Sequence, residues 1–305
     1  MTSQRILVTG GSGFIGQALT GDLLAAGHEV TQLGRQASIA GSRHANADLS
    51  DPASLRSALA ELRKQPRFDA IIHLAVSRHH REFPQRALDM FYVNTAAAAE
   101  LLDFARETGV GRAVFGSTGT VYSSTVSAED TEQPGSHESE FRRPSSYFAA
   151  SKLFADSFCD LYRGFLPIAT LRFYAPYGPH LEDRMLSDLV ARVRSGRPLS
   201  LPASGSGLAF SATYVDDALA VIKAAIAEGW NETVNVAAPG YETIESAGHL
   251  IGDLVGKAPC FERGKAGLAP KIVPDTARLG ELMPQHRFTD LRTGLAAMIA
   301  AQQHA

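Results

Sequence analysis

Cysteine is scarce in this chain: Cys159 and Cys260 are the only two among 305 residues, and they lie far apart. That excludes a disulfide framework and any cysteine-based metal spacing, and no metal site is expected. Both read as small buried hydrophobes in a reducing compartment. A cationic excess is also missing. The 29 Lys and Arg against 32 Asp and Glu leave a formal charge of −3, which offers no basic footprint for nucleic acid. Long apolar runs are absent too. The first, Arg5-Ile6-Leu7-Val8, meets glycines after a few residues, too soon for a signal peptide or a membrane helix. No later run reaches spanning length, and the expectation is a cytoplasmic protein. A composition of 45% apolar and 20% charged residues argues against bulk disorder, and the length suffices for one large α/β unit with a smaller appendage.

What is present is concentrated near the amino end. Thr9-Gly10-Gly11-Ser12-Gly13-Phe14-Ile15-Gly16 follows the first apolar run directly. The pattern reads as a strand, a glycine turn and a helix start, the arrangement that a dinucleotide's pyrophosphate requires. Gly10 allows the sharp turn. Gly13 removes the Cβ that would hold the backbone away from phosphate, and Gly16 lets the helix pack close to the strand. The amide groups at the helix N-terminus then face the anion.

Strand-like and helix-like segments alternate through the first two-thirds, which implies a doubly wound parallel sheet covered on both faces. Phe14, Ile15, Ala18, Leu19, Leu23 and Leu24 recur at helical spacing, and Gly27 supplies the stop. Glu29–Leu33 reads as the second strand, Asn46–Leu49 as a short third one, and Asp51-Pro52 as the start of the next helix. Ala70–Ala75, Ala113–Gly116 and Ile168–Leu171 are further buried strands. Tyr92–Arg106 and Phe148–Tyr162 read as long helices. After Pro176-Tyr177-Gly178-Pro179 the composition shifts to short helical runs and Pro- and Gly-rich loops, with Val234-Asn235-Val236 as one more strand returning to the sheet. The expected organisation is a dinucleotide-binding domain over residues 1–175, rejoined by about 213–237, with a smaller mixed α/β substrate lobe over 176–212 and 238–305.

At the end of the second strand, where a carboxylate would grip the ribose of NAD, stands Leu33-Gly34-Arg35. Arg35 can pair with a 2′-phosphate, which favours NADP. A solvated Arg35, or one stacked on adenine, leaves NAD open. Asp48 and Leu49 are placed to contact the adenine, and Asp48 serves equally as a turn cap.

Together these residues resemble the extended short-chain dehydrogenase/reductase family, also called the NAD-dependent epimerase/dehydratase family. The likeness continues through His73-Leu74-Ala75-Val76, Asn94, Gly116–Tyr122, Ser151-Lys152, Arg172–Pro179 and Tyr214-Val215-Asp216-Asp217. It implies a Rossmann-type fold and adds Phe14, Ile15, Leu74, Ala75 and Asn94 to the cofactor's surroundings. In that family a Ser or Thr, a Tyr, and a Lys four residues after the Tyr form the catalytic group. The Tyr exchanges a proton with a substrate hydroxyl while hydride passes to or from the nicotinamide. The Lys holds the ribose and lowers the phenol's pKa.

Thr118 and Lys152 match two of these positions, and Lys152 counts toward the cofactor as well. The third is Phe148, with Tyr147 one residue early. On a helix advancing about 100° per residue, Phe148 and Lys152 lie about 40° apart, and Tyr147 and Lys152 about 140°. Tyr147 would need a later helix start or a local bulge to take the role. His79 and His80 follow the fourth strand, on the loop that the resemblance places beside the substrate; one of them could supply a base, but each taken singly reads better as an exposed polar loop residue. Tyr122, Tyr174 and Tyr177 are explained at least as well by packing.

A second departure concerns the arginine that clamps the diphosphate in nucleotide-sugar epimerases. Phe210 or Ser211 stands there, which leaves Arg184, Arg192 or Arg194 to serve, or a substrate without diphosphate. Asp216 and Asp217 do not face each other on a helix and read as caps and local hydrogen-bonders.

The resulting expectation is an NAD(P)-dependent oxidoreductase or epimerase-like enzyme. It would interconvert a secondary alcohol and a ketone on a sugar-like or polyol substrate, with the catalytic group Thr118, Lys152 and Tyr147. A cofactor-binding sensor of the same fold, without the catalytic Tyr, is the alternative. The resemblance also implies a homodimer through the two long helices.

Overall fold

A computed structural model describes residues 3–36, 39–122, 135–140, 142–181, 184–264 and 270–302. Two compact units are distinguishable. The first comprises residues 1–121, 142–172 and 219–234, and the second 122–141, 173–218 and 235–305.

The first unit is built on β1 (Arg5–Thr9), α1 (Phe14–Ala25), β2 (Glu29–Gly34), β3 (Arg43–Asn46), α2 (Pro52–Arg63) and β4 (Ala70–His73). Then come α3 (Ala87–Phe91), a π-helical turn over Tyr92–Ala96, α4 (Ala97–Thr108), β5 (Arg112–Thr118), α5 (Tyr147–Tyr162) and β6 (Ile168–Phe173). The sheet has seven strands, β6 being followed on its outer side by a last strand over Thr233–Val236, and β1 lies between β4 and β2. The pairs from β5 through β4, β1 and β2 to β3 are all parallel. Ile6, Leu7, Val8, Ile71, Ile72, Val114 and Leu171 are all buried. Apolar runs without alternation are what a sheet covered on both faces demands. The expected Rossmann-type α/β architecture is the one observed.

Local chemistry explains the element starts and stops. The Asp51 carboxylate accepts the Ala53 N–H at 2.9 Å, and Pro52 occupies the first turn of α2, where a missing N–H costs nothing. Gly27 ends α1 at φ +84°, the Gly27 and His28 amides bonding back to Leu24 and Leu23.

Two boundaries differ from expectation. The third strand is Arg43–Asn46, not Asn46–Leu49, because it is the sheet's polar edge; Arg43, His44 and Asn46 are exposed and carry no apolar signal. Ala47 and Leu49 lie beyond it in a buried turn. The helix expected from Tyr92 begins at Ala87 and changes to a π turn over Tyr92–Ala96. There the Asn94 side chain accepts the Ser77 N–H, and Thr95 donates to the Ser151 carbonyl. Cys159 is buried on α5 as expected, whereas Cys260 is exposed.

The second unit contains β7 (Pro176–Tyr177), α6 (Met185–Ser195), β8 (Leu199–Leu201), β9 (Ala209–Phe210) and β10 (Thr213–Tyr214). Helix α7 (Val215–Glu228) and β11 (Thr233–Val236) each contribute residues to both units. The second unit continues with β12 (Glu242–Thr243), α8 (Ile244–Val255), β13 (Phe261–Arg263), β14 (Lys271–Ile272), α9 (Ala277–Leu282) and α10 (Leu291–Ala301). Its strands form small sheets, β10 on β7, β12-β9-β14, and β13 on β8. Asp217 is not a local cap. Its carboxylate accepts the Thr289 N–H at 2.9 Å and meets His286 Nε2 at 2.8 Å, both far along the chain. Asp217 thereby fixes the approach to α10. Among the described residues, no helix is long and apolar enough to cross a membrane, and no His, Cys, Asp and Glu cluster is arranged to hold a metal.

The first unit carries a buried imidazole in its sheet. His73 pairs with Thr9 across β4 and β1, and Nδ1 lies 2.7 Å from the Thr9 hydroxyl. Burial, with the nearby Lys152 charge, lowers its pKa to about 3. Between pH 6.5 and that value the unfolded chain binds a proton that the native state refuses, so stability falls with falling pH by up to about 1.4 kcal/mol per unit. We expect His73→Gln to flatten that part of a urea-unfolding pH profile; an unchanged slope would refute the assignment.

Candidate active site

The strand order reverses between β1 and β4, and open α/β sheets form a crevice at the carboxyl ends of the strands at such a point. Gly10, at φ +73°, follows β1 there. A Cβ on it would come within 2.6 Å of Leu74 C and Ala75 N, so only glycine lets the ends of β1 and β4 approach this closely. Gly16 is equally constrained, since its Cβ would lie 2.0 Å from the Gly10 carbonyl oxygen. Gly13 precedes α1 in an extended conformation. No side chain caps this helix start, and no acidic residue occupies its first turn. The first amides of α1 are therefore available to an anion, with the helix dipole behind them.

The crevice is lined by Gly10, Ser12 and Gly13 from the turn, Leu33 and Gly34 at the end of β2 with Arg35 after it, and Ala47–Ser50 after β3. Its far wall is Leu74–His79 with Asp89 and Val93. Of the expected cofactor residues, Gly10, Gly13, Arg35, Asp48, Leu49, Leu74 and Ala75 are brought together in this crevice. Phe14, Ile15 and Gly16 lie in the first turn of α1 instead. Asn94 sits behind the wall. Its side chain accepts the Ser77 N–H at 2.9 Å and donates to Ser151 Oγ at 3.0 Å, tying the post-β4 loop to α5. Asp48 accepts the Ser50 hydroxyl at 2.6 Å and the Ser50 N–H at 2.9 Å. Those bonds, with the nearby Arg35 and Arg78 charges, hold its carboxyl below the usual range.

Ser12, Ser77, Arg78, His79 and Asp89 belong to the wall but were not picked out as cofactor residues from the sequence. Ser77 donates to Asp89, a contact that only the folded loop creates. The available signal was positional: the segment just after β4 lies at the switch point.

Lys152 reaches the sheet from α5. Its Nζ donates to the Gly116 carbonyl at 2.8 Å and lies 3.5 Å from the Ala75 carbonyl, which belongs to the crevice wall. Burial lowers its pKa to about 8 against the pull of Asp156 one turn on. Asp156 itself is buried against Arg172, Nε to Oδ2 at 3.0 Å. Thr118 ends β5 two residues after Gly116, and its hydroxyl oxygen accepts the Thr120 N–H at 3.2 Å.

Helix α5 starts at Tyr147, with the Ser146 hydroxyl accepting the Ala149 N–H at 3.1 Å. There is neither a later start nor a bulge to bring Tyr147 round to Lys152. The Tyr147 ring instead stacks on Phe83, centroids 5.0 Å apart. Phe148 shares the Lys152 side of the helix, and its ring packs against His80 at 5.6 Å. His79 turns to Glu82, Nδ1 to Oε1 at 2.8 Å.

The other candidates are occupied by packing within the second unit. Ser211 donates to the Gly240 carbonyl at 2.6 Å, and Phe210 is buried. Arg192 pairs with Asp188, and Arg194 donates to Ile299 O and Gln302 Oε1 at the end of α10. Tyr122, Tyr174 and Tyr177 are buried, Tyr122 donating to Asn235 Oδ1 at 3.0 Å.

Lys152 also yields a stability test. The unfolded chain keeps this proton to about pH 10.5 and the native state only to about 8, so the buried charge costs stability below that window and relief comes as pH rises through it. Lys152→Met is expected to stabilise the protein at pH 7 by roughly 1–3 kcal/mol and by less at pH 10. Denaturant unfolding measures both, and a gain independent of pH would contradict the assignment.

Residues 6–237 match the model of the NAD dependent epimerase/dehydratase family. UDP-glucose 4-epimerase 4 of Oryza sativa subsp. japonica is 30% identical over 259 residues, covering 75% of this chain and 67% of that protein. The UDP-glucose 4-epimerase of Mycolicibacterium smegmatis is 28% identical, with 97% of each chain covered. The chain spans 61% of the length of UDP-glucuronic acid decarboxylase 1 of Xenopus tropicalis, at 27% identity over 83% of its own length. Among solved structures, the UDP-glucose 4-epimerase of Thermus thermophilus in complex with NAD superposes with a TM-score of 0.82 at 26% identity, with 99% of each chain covered. The chain belongs to the NAD-dependent epimerase/dehydratase family.

Proposed function

We propose that this protein is an NAD(P)-dependent enzyme that interconverts a secondary alcohol and a ketone on a sugar-type substrate, as an oxidoreductase or as one half of an epimerisation. One observation carries this reading. A buried cationic Lys152 is held by backbone carbonyls at the edge of a crevice whose floor is an uncapped helix start, with Thr118 on β5 two residues beyond the Gly116 carbonyl that Lys152 bonds. The nucleotide sugars named for the relatives are the substrates to test first. Phe210 and Ser211 stand where such enzymes are expected to carry the diphosphate-clamping arginine, so a sugar substrate without diphosphate is to be tested beside them.

The glycine turn fits the cofactor. A Cβ at Gly10 or Gly16 would collide with backbone, and Gly13 leaves the α1 amides open. When bound, the dinucleotide would supply the hydride acceptor or donor. Gly10 and Gly13 would admit its pyrophosphate, Asp48 and Leu49 its adenine, and Lys152 the nicotinamide ribose. Lys152 also presents positive charge beside the reacting hydroxyl, lowering the cost of removing its proton. Thr118 would hydrogen-bond the same oxygen. Tyr147 points about 140° away from Lys152 around α5, its ring stacked on Phe83, which makes it a poor proton carrier and supports a nucleotide-binding sensor as the second reading.

NADP is favoured over NAD because Arg35 and Arg78 both line the wall and their charge offsets Asp48. The protein should bind NADPH about tenfold more tightly than NADH by fluorescence titration, and Arg35→Ala should erase the difference, a bidentate arginine contact being worth roughly 1–3 kcal/mol. Equal affinities in the unmodified protein would count against it, and no affinity for either would overturn the enzymatic reading.

A cytoplasmic homodimer completes the proposal. Leu88 and Phe91 on α3 and Phe154 and Leu161 on α5 are exposed apolar side chains. Phe154 and Leu161 stand seven residues apart on one face of α5, the helix expected to pair, and such a face is what a second copy would cover. Sedimentation should give a dimer for the native chain and a monomer for Leu161→Glu combined with Phe154→Lys; a native monomer would discard it.

A further inference from the structure

We infer that His80 is the proton-carrying catalytic residue, taking over the task of the phenol that Phe148 lacks; this rests on the proposed dehydrogenase chemistry. Phe148 and Lys152 are one helical turn apart on the same side of α5, so the Phe148 ring marks where a phenol paired with that lysine would stand. A phenyl ring has no proton to exchange. Against it, centroids 5.6 Å apart and planes tilted by 57°, lies the half-buried imidazole of His80.

The Tyr147 ring stacks on Phe83 at an interplanar angle of 20°, and His79 is held by Glu82. The same loop thus places Phe83 on Tyr147 and His80 on Phe148. These paired ring contacts hold the loop against the start of α5 and set the imidazole beside Phe148, the ring one helical turn from Lys152. In the oxidative direction the substrate O–H bond breaks and its proton bonds to an imidazole nitrogen of His80. The oxygen's electron pair closes the C=O bond as the carbon's hydride leaves to the nicotinamide dinucleotide. In the reductive direction the imidazolium returns the proton. Imidazole suits this because one ring nitrogen can take up a proton and return it.

The test uses the intact protein with NADP⁺ or NAD⁺ and a panel of UDP-glucose, UDP-galactose, UDP-glucuronic acid and dTDP-glucose, followed by reduced-nicotinamide absorbance. With the panel member that turns over, His80→Gln should lower kcat about 100-fold or more with coenzyme affinity unchanged. His80→Ala should regain turnover on addition of free imidazole, and Phe148→Tyr in the His80→Gln chain should restore it by returning the phenol. Independently of activity, the His80 Cε1–H proton resonance, assigned by its loss in His80→Gln, should shift when that sugar nucleotide is added without coenzyme. Turnover in His80→Gln within threefold of the parent, or a His80 resonance indifferent to the sugar, would overturn this inference alone. Absence of coenzyme binding or of any turnover in the unmodified chain would instead overturn the function on which it rests.

Discussion

The near-contact of two strand ends at Gly10 is the constraint on which the candidate site rests. With the Leu74–Ala75 backbone this close, no side chain fits between β1 and β4, and the chain must turn there with positive φ. Three consequences follow from that one approach. The α1 start is aimed along the crevice floor, the post-β4 loop becomes the opposite wall, and the Ala75 carbonyl faces the reach of Lys152. The close packing of Gly16 on the Gly10 carbonyl then keeps the helix from sliding away.

Electrostatics in the first unit are arranged around a second constraint, the burial of Lys152. Its ammonium meets carbonyl oxygens and not a direct carboxylate partner, while Asp156 is turned to Arg172. A charge held this way stays protonated near neutral pH yet remains available to a ligand, because carbonyl contacts are exchanged more cheaply than an ion pair. The same charge reaches His73 and helps keep that imidazole neutral.

The glycine turn, the buried parallel strands and the Asp51-Pro52 helix start could be read directly from the sequence, because each is a local rule: φ preference, apolar run, cap. The β3 edge was misplaced because its exposed residues are polar, so pairing with β2 and not hydrophobicity defines it. The wall residues Ser77, Arg78 and Asp89 escaped notice because strand order brings them to the crevice, and a parallel sheet's order is not written in any one segment. The helical angle between Tyr147 and Lys152 was legible, but the partners of Tyr147 and Phe148 were not. Phe83 and His80 come from a loop more than sixty residues earlier in the chain (~64 by position), and no periodicity links them. Asp217 taught the same lesson from the opposite side, a supposed local cap whose carboxylate turns out to grip the chain about seventy residues later.

The uncapped start of α1 has a consequence for folding. Helices ordinarily bring their own oxygen acceptor to the first turn, and α2, α5, α8 and α10 all do so with Asp51, Ser146, Thr243 and Asp290. Helix α1, like α3 and α9, does not, and its start opens on the crevice. Occupancy of the crevice by an anionic group would therefore finish a secondary-structure element as well as fill a binding site, so the thermal resistance of the whole sheet becomes a gauge of how much nucleotide surrounds the protein.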